Sequence, residues 1–233
     1  MNIGTNVQDI GVGMSGWSCT IVQTLRVTAA SSSIAVFGDL NVFGTPRGSI
    51  GNGFATPLTA AETNIQQASR IPFRFFSAKY IGFQVRPVSY LEVAASGDDA
   101  ANLTVTEAIR SSERLTRYVT ASLQINSTVK RDLGPIYLLP AGVGLAVSGF
   151  GSAIPGATPP TLQGQTAGVA IPTNGFPAAS ARVPLATPLL LRQEDSVQML
   201  LSLNAAVATA GTSDVFEIIT LMEGLAYDAI TAN

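Results

Sequence analysis

The chain has 233 residues, 46% of them hydrophobic but only 12% charged, against about 25% in an average globular domain. It contains no histidine and one cysteine, Cys19, which excludes Ser-His-Asp and Cys-His catalysis, histidine-held zinc, cysteine metal clusters and intrachain disulfides. Thirteen cations against fifteen acids give a formal net charge of −2 with no basic tail, so any attraction to nucleic acid is local.

The first stretch, "MNIGTNVQDIGVGMSG", lacks the basic and apolar regions of a secretory leader, and residues 1–19 are expected to be a flexible N-terminal segment. Its "GVGMSG", Gly11 to Gly16, matches Gly-x-Gly-x-x-Gly, but neither the strand before nor the helix after that a dinucleotide site requires is present. Trp17, the one tryptophan, is expected in the core. From residue 20 to 233 the chain is expected to form a single domain. In "CTIVQTLRVT" Cys19, Ile21, Leu25 and Val27 alternate against Thr20, Val22, Thr24 and Arg26, the period of a strand. "SSIAVFGDLNVFG" continues the strand signals, followed by a polar, glycine-rich loop to about Ser69. "IPFRFF", "YIGFQV" and "SYLEVAA" come next. In "LTVTEAIRSSERLTRYV" the period changes: Val105, Ile109, Leu115 and Val119 fall near helical spacing, Thr104 and Glu107 have capping-box spacing, and Glu113 and Arg117 form an i,i+4 pair. One short helix is therefore predicted over 104–118. "TASLQINST" returns to strict alternation, with Ala121, Leu123 and Ile125 against Ser122, Gln124 and Asn126. "PIYLLP", "GLAVSGF", "PLLLRQ", "SVQMLLSLN" and "VFEIITLMEG" complete about ten strand candidates, the last two expected to pair. The fold class is all-β, an antiparallel sandwich or barrel with long loops.

Leu133 to Ala181 contains no charged residue, and seven prolines within it rule out a spanning helix. Its long loop near 149–181, with Phe150, Ile154, Pro159 and Phe176, offers a surface that can be buried between subunits without desolvating ions, each of which costs several kcal/mol when unpaired. Low charge over the whole chain points the same way, because a free monomer needs charge for solubility.

Two acidic pairs, Asp98–Asp99 and Glu194–Asp195, sit in turn-like sequence. Neither lies in a loop able to gather the six to eight oxygens calcium takes, so turn chemistry explains them and no metal is assigned. The densest constellation is "RIPFRFFSAKYIGFQVR". Arg70, Arg74, Lys79 and Arg86 interleave with aromatics including Phe76, and no acid occurs from Thr63 to Leu91. Aromatics that stack on bases and cations that meet phosphate hold single strands this way, an anionic membrane attracts the same cations, and protein interfaces are enriched in both. Arg70, Arg74, Lys79, Arg86 and Phe76 are therefore candidate contacts to another subunit, a genome or a membrane. An all-β core whose Ile71, Phe73 and Phe75 face inward explains the same alternation.

An all-β chain of this size with long loops, one helix before "YVTASLQINS", the "GPIYLLPAGVGL" segment and a closing "SVQMLLSLN" plus "VFEIITLMEGLAY" resembles the single jelly-roll capsid proteins of tailless icosahedral bacteriophages. The resemblance spans roughly Thr20 to Tyr227. It implies a jelly-roll subunit, made in a host cytoplasm and assembled into the virion with copies of itself and other virion proteins. It also implies no catalytic residue, no cofactor and no small-molecule substrate. The chain lacks the family's arginine-rich internal arm, which favours a shell over an internal membrane or a minor vertex component over direct genome packaging. The alternative is an extracellular β-sandwich binding module, adhesin-like or carbohydrate-binding.

Overall fold

Alternation at Cys19–Val27 builds a long first strand, β1 (Met14–Thr28), that buries Ile21, Leu25 and Val27 on one face. A computed structural model describes residues 14–88, 105–126, 129–141, 146–148, 152–153, 162–163, 169–171, 184–209 and 212–229. Short β2 (Ser33–Ile34) and β3 (Phe37–Asn41) follow, then a 3-10 turn at Val42–Gly44. A long excursion leads to β4 (Phe75–Pro87). Helix α1 (Val105–Tyr118) runs directly into β5 (Val119–Ile125), which turns into β6 (Val129–Pro135). The uncharged region contains β7 (Ala146–Ser148), β8 (Ser152–Ala153), β9 (Leu162–Gln163) and β10 (Val169–Ile171), joined as two antiparallel ribbons, β7 with β10 and β8 with β9. β11 (Pro184–Arg192), β12 (Val197–Leu203), β13 (Val207–Ala208) and β14 (Val215–Ala229) complete the chain.

Eight of these strands form two four-stranded antiparallel sheets, ordered β1-β14-β4-β11 and β3-β12-β5-β6. Numbered one to eight along the chain, they lie as 1-8-3-6 and 2-7-4-5. This connectivity, in which successive strands cross between facing sheets except for the four–five hairpin, is that of an eight-stranded jelly roll. The core lies between the sheets: Ile21, Phe76, Phe83, Ile218 and Met222 from one meet Val119, Leu123, Met199 and Leu201 from the other. Leu115 of α1 is fully buried beside them. Such a side chain is worth about 1.5–3 kcal/mol of transfer free energy.

Several expectations change. β1 starts at Met14, six residues ahead of the expected boundary, because Met14–Cys19 pairs with Gly224–Ala229. Trp17 is 41% exposed rather than core: its ring meets Phe73 edge-on at 6.0 Å, and Phe73 stacks on Phe76 at 5.9 Å, so the aromatics run from core to rim. "PIYLLP" is not a strand, because a 3-10 turn at Ile136–Leu138 tucks Ile136 into the core and returns Leu139 and Ala141 to the backbone of Phe83. β12 and β14 do not pair. Each is apolar on one face and sits inside a different sheet, where those faces meet across the core.

The loop after Gly44 is also better ordered than its composition suggested. It buries Phe54, Leu58 and Ile65 and runs along the free edge of β1, with hydrogen bonds from Thr24 N to Glu62 O (3.0 Å) and Arg26 N to Asn52 O (2.8 Å). Gly53 is required there. Its φ is +77°, and a Cβ would stand 1.9 Å from the Arg26 carbonyl oxygen.

Candidate functional site

The basic and aromatic stretch does not form one patch. Phe76 is fully buried, which corrects its place among the contact candidates: a bulge at Lys79 sets the inward register to Phe76, Ala78, Ile81 and Phe83. Gly224 lies opposite this bulge, where a Cβ would be 2.0 Å from the Ser77 carbonyl oxygen. Lys79 is the extra residue of the bulge and is exposed. Arg70 and Arg74 gather at the turn after β11. The Arg70 guanidinium donates to the carbonyls of Gln193 and Glu194 at 3.3 Å each, and Arg74 lies 6.0 Å from the Phe75 ring centroid. Arg86 points the other way, onto the outer face of the first sheet, where its Nε stands 3.7 Å from Glu217. Of the four cations, the structure brings together Arg70 and Arg74.

The Glu194–Asp195 pair behaves as turn chemistry. Asp195 accepts from the Arg192 N–H at 2.8 Å and from the Asn126 side chain at 2.7 Å. Asp98, Asp99, the Thr104 cap and the loop residues Phe150, Ile154, Pro159 and Phe176 lie outside the described residues. Among the described residues no three His, Cys, Asp or Glu side chains are grouped to hold a metal ion, and no helix is long and apolar enough to cross a membrane.

What composition did not single out is a polar cleft of about 230 Å³ on the outer face of the second sheet. Thr120 and Ser122 of β5 and Ser202 of β12 form its floor, with Asp39 of β3 and Lys130 and Asp132 of β6 at its sides. Alternation explains the floor, since Ala121, Leu123, Leu201 and Leu203 turn into the core and their neighbours turn out. Ser202 donates to Asp39 Oδ1 at 2.7 Å, and Lys130 reaches across two strands to Asp39 Oδ2 at 3.0 Å. The Ser202 hydroxyl first, and Lys130 second, hold the Asp39 carboxyl below its usual range. Asn204 donates to the Thr120 hydroxyl at 3.0 Å. Register shifts flank the cleft on both sides, between Ala121 and Ser122 against β6 and between Leu201 and Leu203 against β3. Each bends its strand, and together they hollow the sheet. In sequence, Ser122 was legible as an outward position, but nothing local marked residues contributed by four separate strands.

No family model matches the chain, and no curated protein and no solved structure is significantly similar to it.

Proposed function

We propose that this chain is a structural subunit of a virion, a capsid protein that assembles with copies of itself and with other virion proteins. The observation that carries the reading is β11. It is an edge strand of nine residues, uncharged until Arg192, with seven of the eight residues before Arg192 at least partly exposed and Leu190 half-exposed. It pairs with β4 only at Pro184 and from Leu189 to Arg192, and among the described residues nothing covers its other side. Soluble monomers blunt such edges with charge, proline, a bulge or a covering loop: a loop covers β1, whereas β11 carries Pro184, Pro188 and a register shift but no charge before Arg192. A long apolar edge left open suits a subunit that meets neighbours. The jelly roll is an architecture shared by capsid and lectin domains, so topology is compatible with the reading by analogy, and the sparse charge favours the assembling one. Arg70 and Arg74, at the turn after β11, are the candidates for a further contact with a subunit, nucleic acid or an internal membrane.

The test is sedimentation and negative-stain electron microscopy of the purified chain at two salt concentrations. Rings, sheets or closed particles are expected, and Leu190→Lys is expected to leave a folded monomer. Arg74→Glu with Lys79→Glu is expected to impair assembly or genome retention. A wild-type chain that stays monomeric at every concentration, alone and with its virion partners, would overturn the proposal.

A further inference from the structure

We propose that the cleft on the outer face of β3-β12-β5-β6 is a binding site for a single ring of a polyhydroxylated ligand, a hexose-class sugar. This goes beyond a role in assembly and holds whether or not the chain forms a shell.

The size sets the first limit. At about 230 Å³ the cleft is smaller than the roughly 300–1,000 Å³ of sites for drug-sized ligands, which leaves room for one ring. Its chemistry sets the second. Hydroxyl groups both donate and accept, carboxylates only accept, and an ammonium only donates, so Ser122, Ser202, Asp39, Asp132 and Lys130 together complement vicinal hydroxyls, each of which does both. Hydrogen bonds to the charged members are the stronger ones.

Asp132 carries the inference furthest. It is exposed and lines the cleft opposite nearly buried Ser122 in register, and among the described residues no cation or donor engages its carboxylate, which leaves it open to a ligand from solvent. Asp39 in the same cleft is by contrast already engaged by Ser202 and Lys130, one on each oxygen. Two strand irregularities converge here to make the concavity, a shape that a flat, solvated sheet face does not need. Other ligand classes fit less well. Lys130 stands among the carboxylates and opposes a divalent cation, while two carboxylates against one ammonium oppose phosphate. No aromatic lines the cleft, so stacking on a sugar face is missing and affinity rests on hydrogen bonds alone.

Ligand-observed NMR of the full chain with glucose, galactose, mannose and N-acetylglucosamine tests this, with calcium chloride as a parallel titration. At least one sugar is expected to saturate in the millimolar range. Asp132→Asn and Ser202→Ala are each expected to weaken it about tenfold, with thermal unfolding of the variants confirming that they are folded. Because among the described residues no hydrogen bond or ion pair engages the Asp132 carboxylate, its variant separates loss of binding from loss of fold. Absence of binding by all four sugars, binding unchanged in Asp132→Asn, or calcium binding at this cleft would each overturn the proposal. The outcome is independent of particle formation, so failure here and failure of assembly are distinguishable.

Discussion

Arg26 donates to Glu217 at 2.7 Å across the β1–β14 pair, and the glutamate side chain it meets is only 9% exposed. Glu217 sits between Arg26 on one neighbouring strand and Arg86 on the other, all three at one level of the sheet. The Phe54 ring lies under the Arg26 guanidinium at 4.3 Å, and the loop that carries Phe54 is tied to the backbone of Arg26. The clamp thus joins the sheet's outer face to the loop that shields its edge.

Removing the carboxylate leaves two guanidinium groups facing one another. Among the described residues Arg26 Nε is buried without a hydrogen-bond partner, so no alternative acceptor is in place there. Glu217→Ala is expected to cost about 1–3 kcal/mol, the range for leaving buried polar groups unsatisfied. Solvent around both arginines holds the effect below that of a fully buried pair. Arg86→Ala, at 3.7 Å and half-exposed, should cost less than about 1 kcal/mol. Urea unfolding midpoints of the two variants decide the matter. Equal midpoints would mean that Glu217 is not held by Arg26.

Phe76 and Lys79 were grouped by sequence as neighbours in one basic and aromatic stretch, and the structure separates them. Phe76 fills the core, so Phe76→Ala is expected to destabilise by about 3–5 kcal/mol, the sum of lost transfer energy and a residual cavity. Lys79 stands exposed in the bulge, and Lys79→Ala should stay within about 0.5 kcal/mol of wild type. Thermal denaturation would show this as a large drop in Tm for the first and almost none for the second. A small drop for Phe76→Ala would return that residue to the surface.

These two residues also show what a sequence of this kind discloses. Alternation located the strands at Ile21–Val27 and Ala121–Ile125, and helical spacing located α1 to within one residue, because both are local consequences of burying one face. Bulges are not local in that sense. The extra residue at Lys79 is accommodated by Gly224 on a strand almost 150 positions away, and it decides whether Phe75 or Phe76 points inward. Strand partners were equally hidden: two apolar segments such as β12 and β14 look alike whether they lie side by side or face each other across a core. The cleft required four strands to be in place before Asp39 could meet Ser202 and Lys130.

That meeting makes stability depend on pH in a definite direction. The folded carboxyl of Asp39 titrates below its unfolded counterpart, held down chiefly by the Ser202 hydroxyl and then by Lys130. The folded state therefore binds fewer protons than the unfolded state over that interval, and stability rises with pH there. Asp39 contributes fully above the unfolded value, about 4, and its contribution is lost as pH falls through the lower folded value. Asp39→Asn removes the titration. The difference in urea midpoint between wild type and this variant should be largest near neutral pH, shrink below about pH 4 and approach a constant in strong acid. Glu62 is depressed in the same direction by the Thr59 hydroxyl, so the Asp39→Asn variant retains an acid-dependent component, and Glu62→Gln should remove that separately. Ser202→Ala should shrink the Asp39 component while leaving the Glu62 component unchanged. If the difference between wild type and Asp39→Asn stayed constant from neutral pH into acid, the carboxylate would not be held by the hydroxyl and ammonium that surround it.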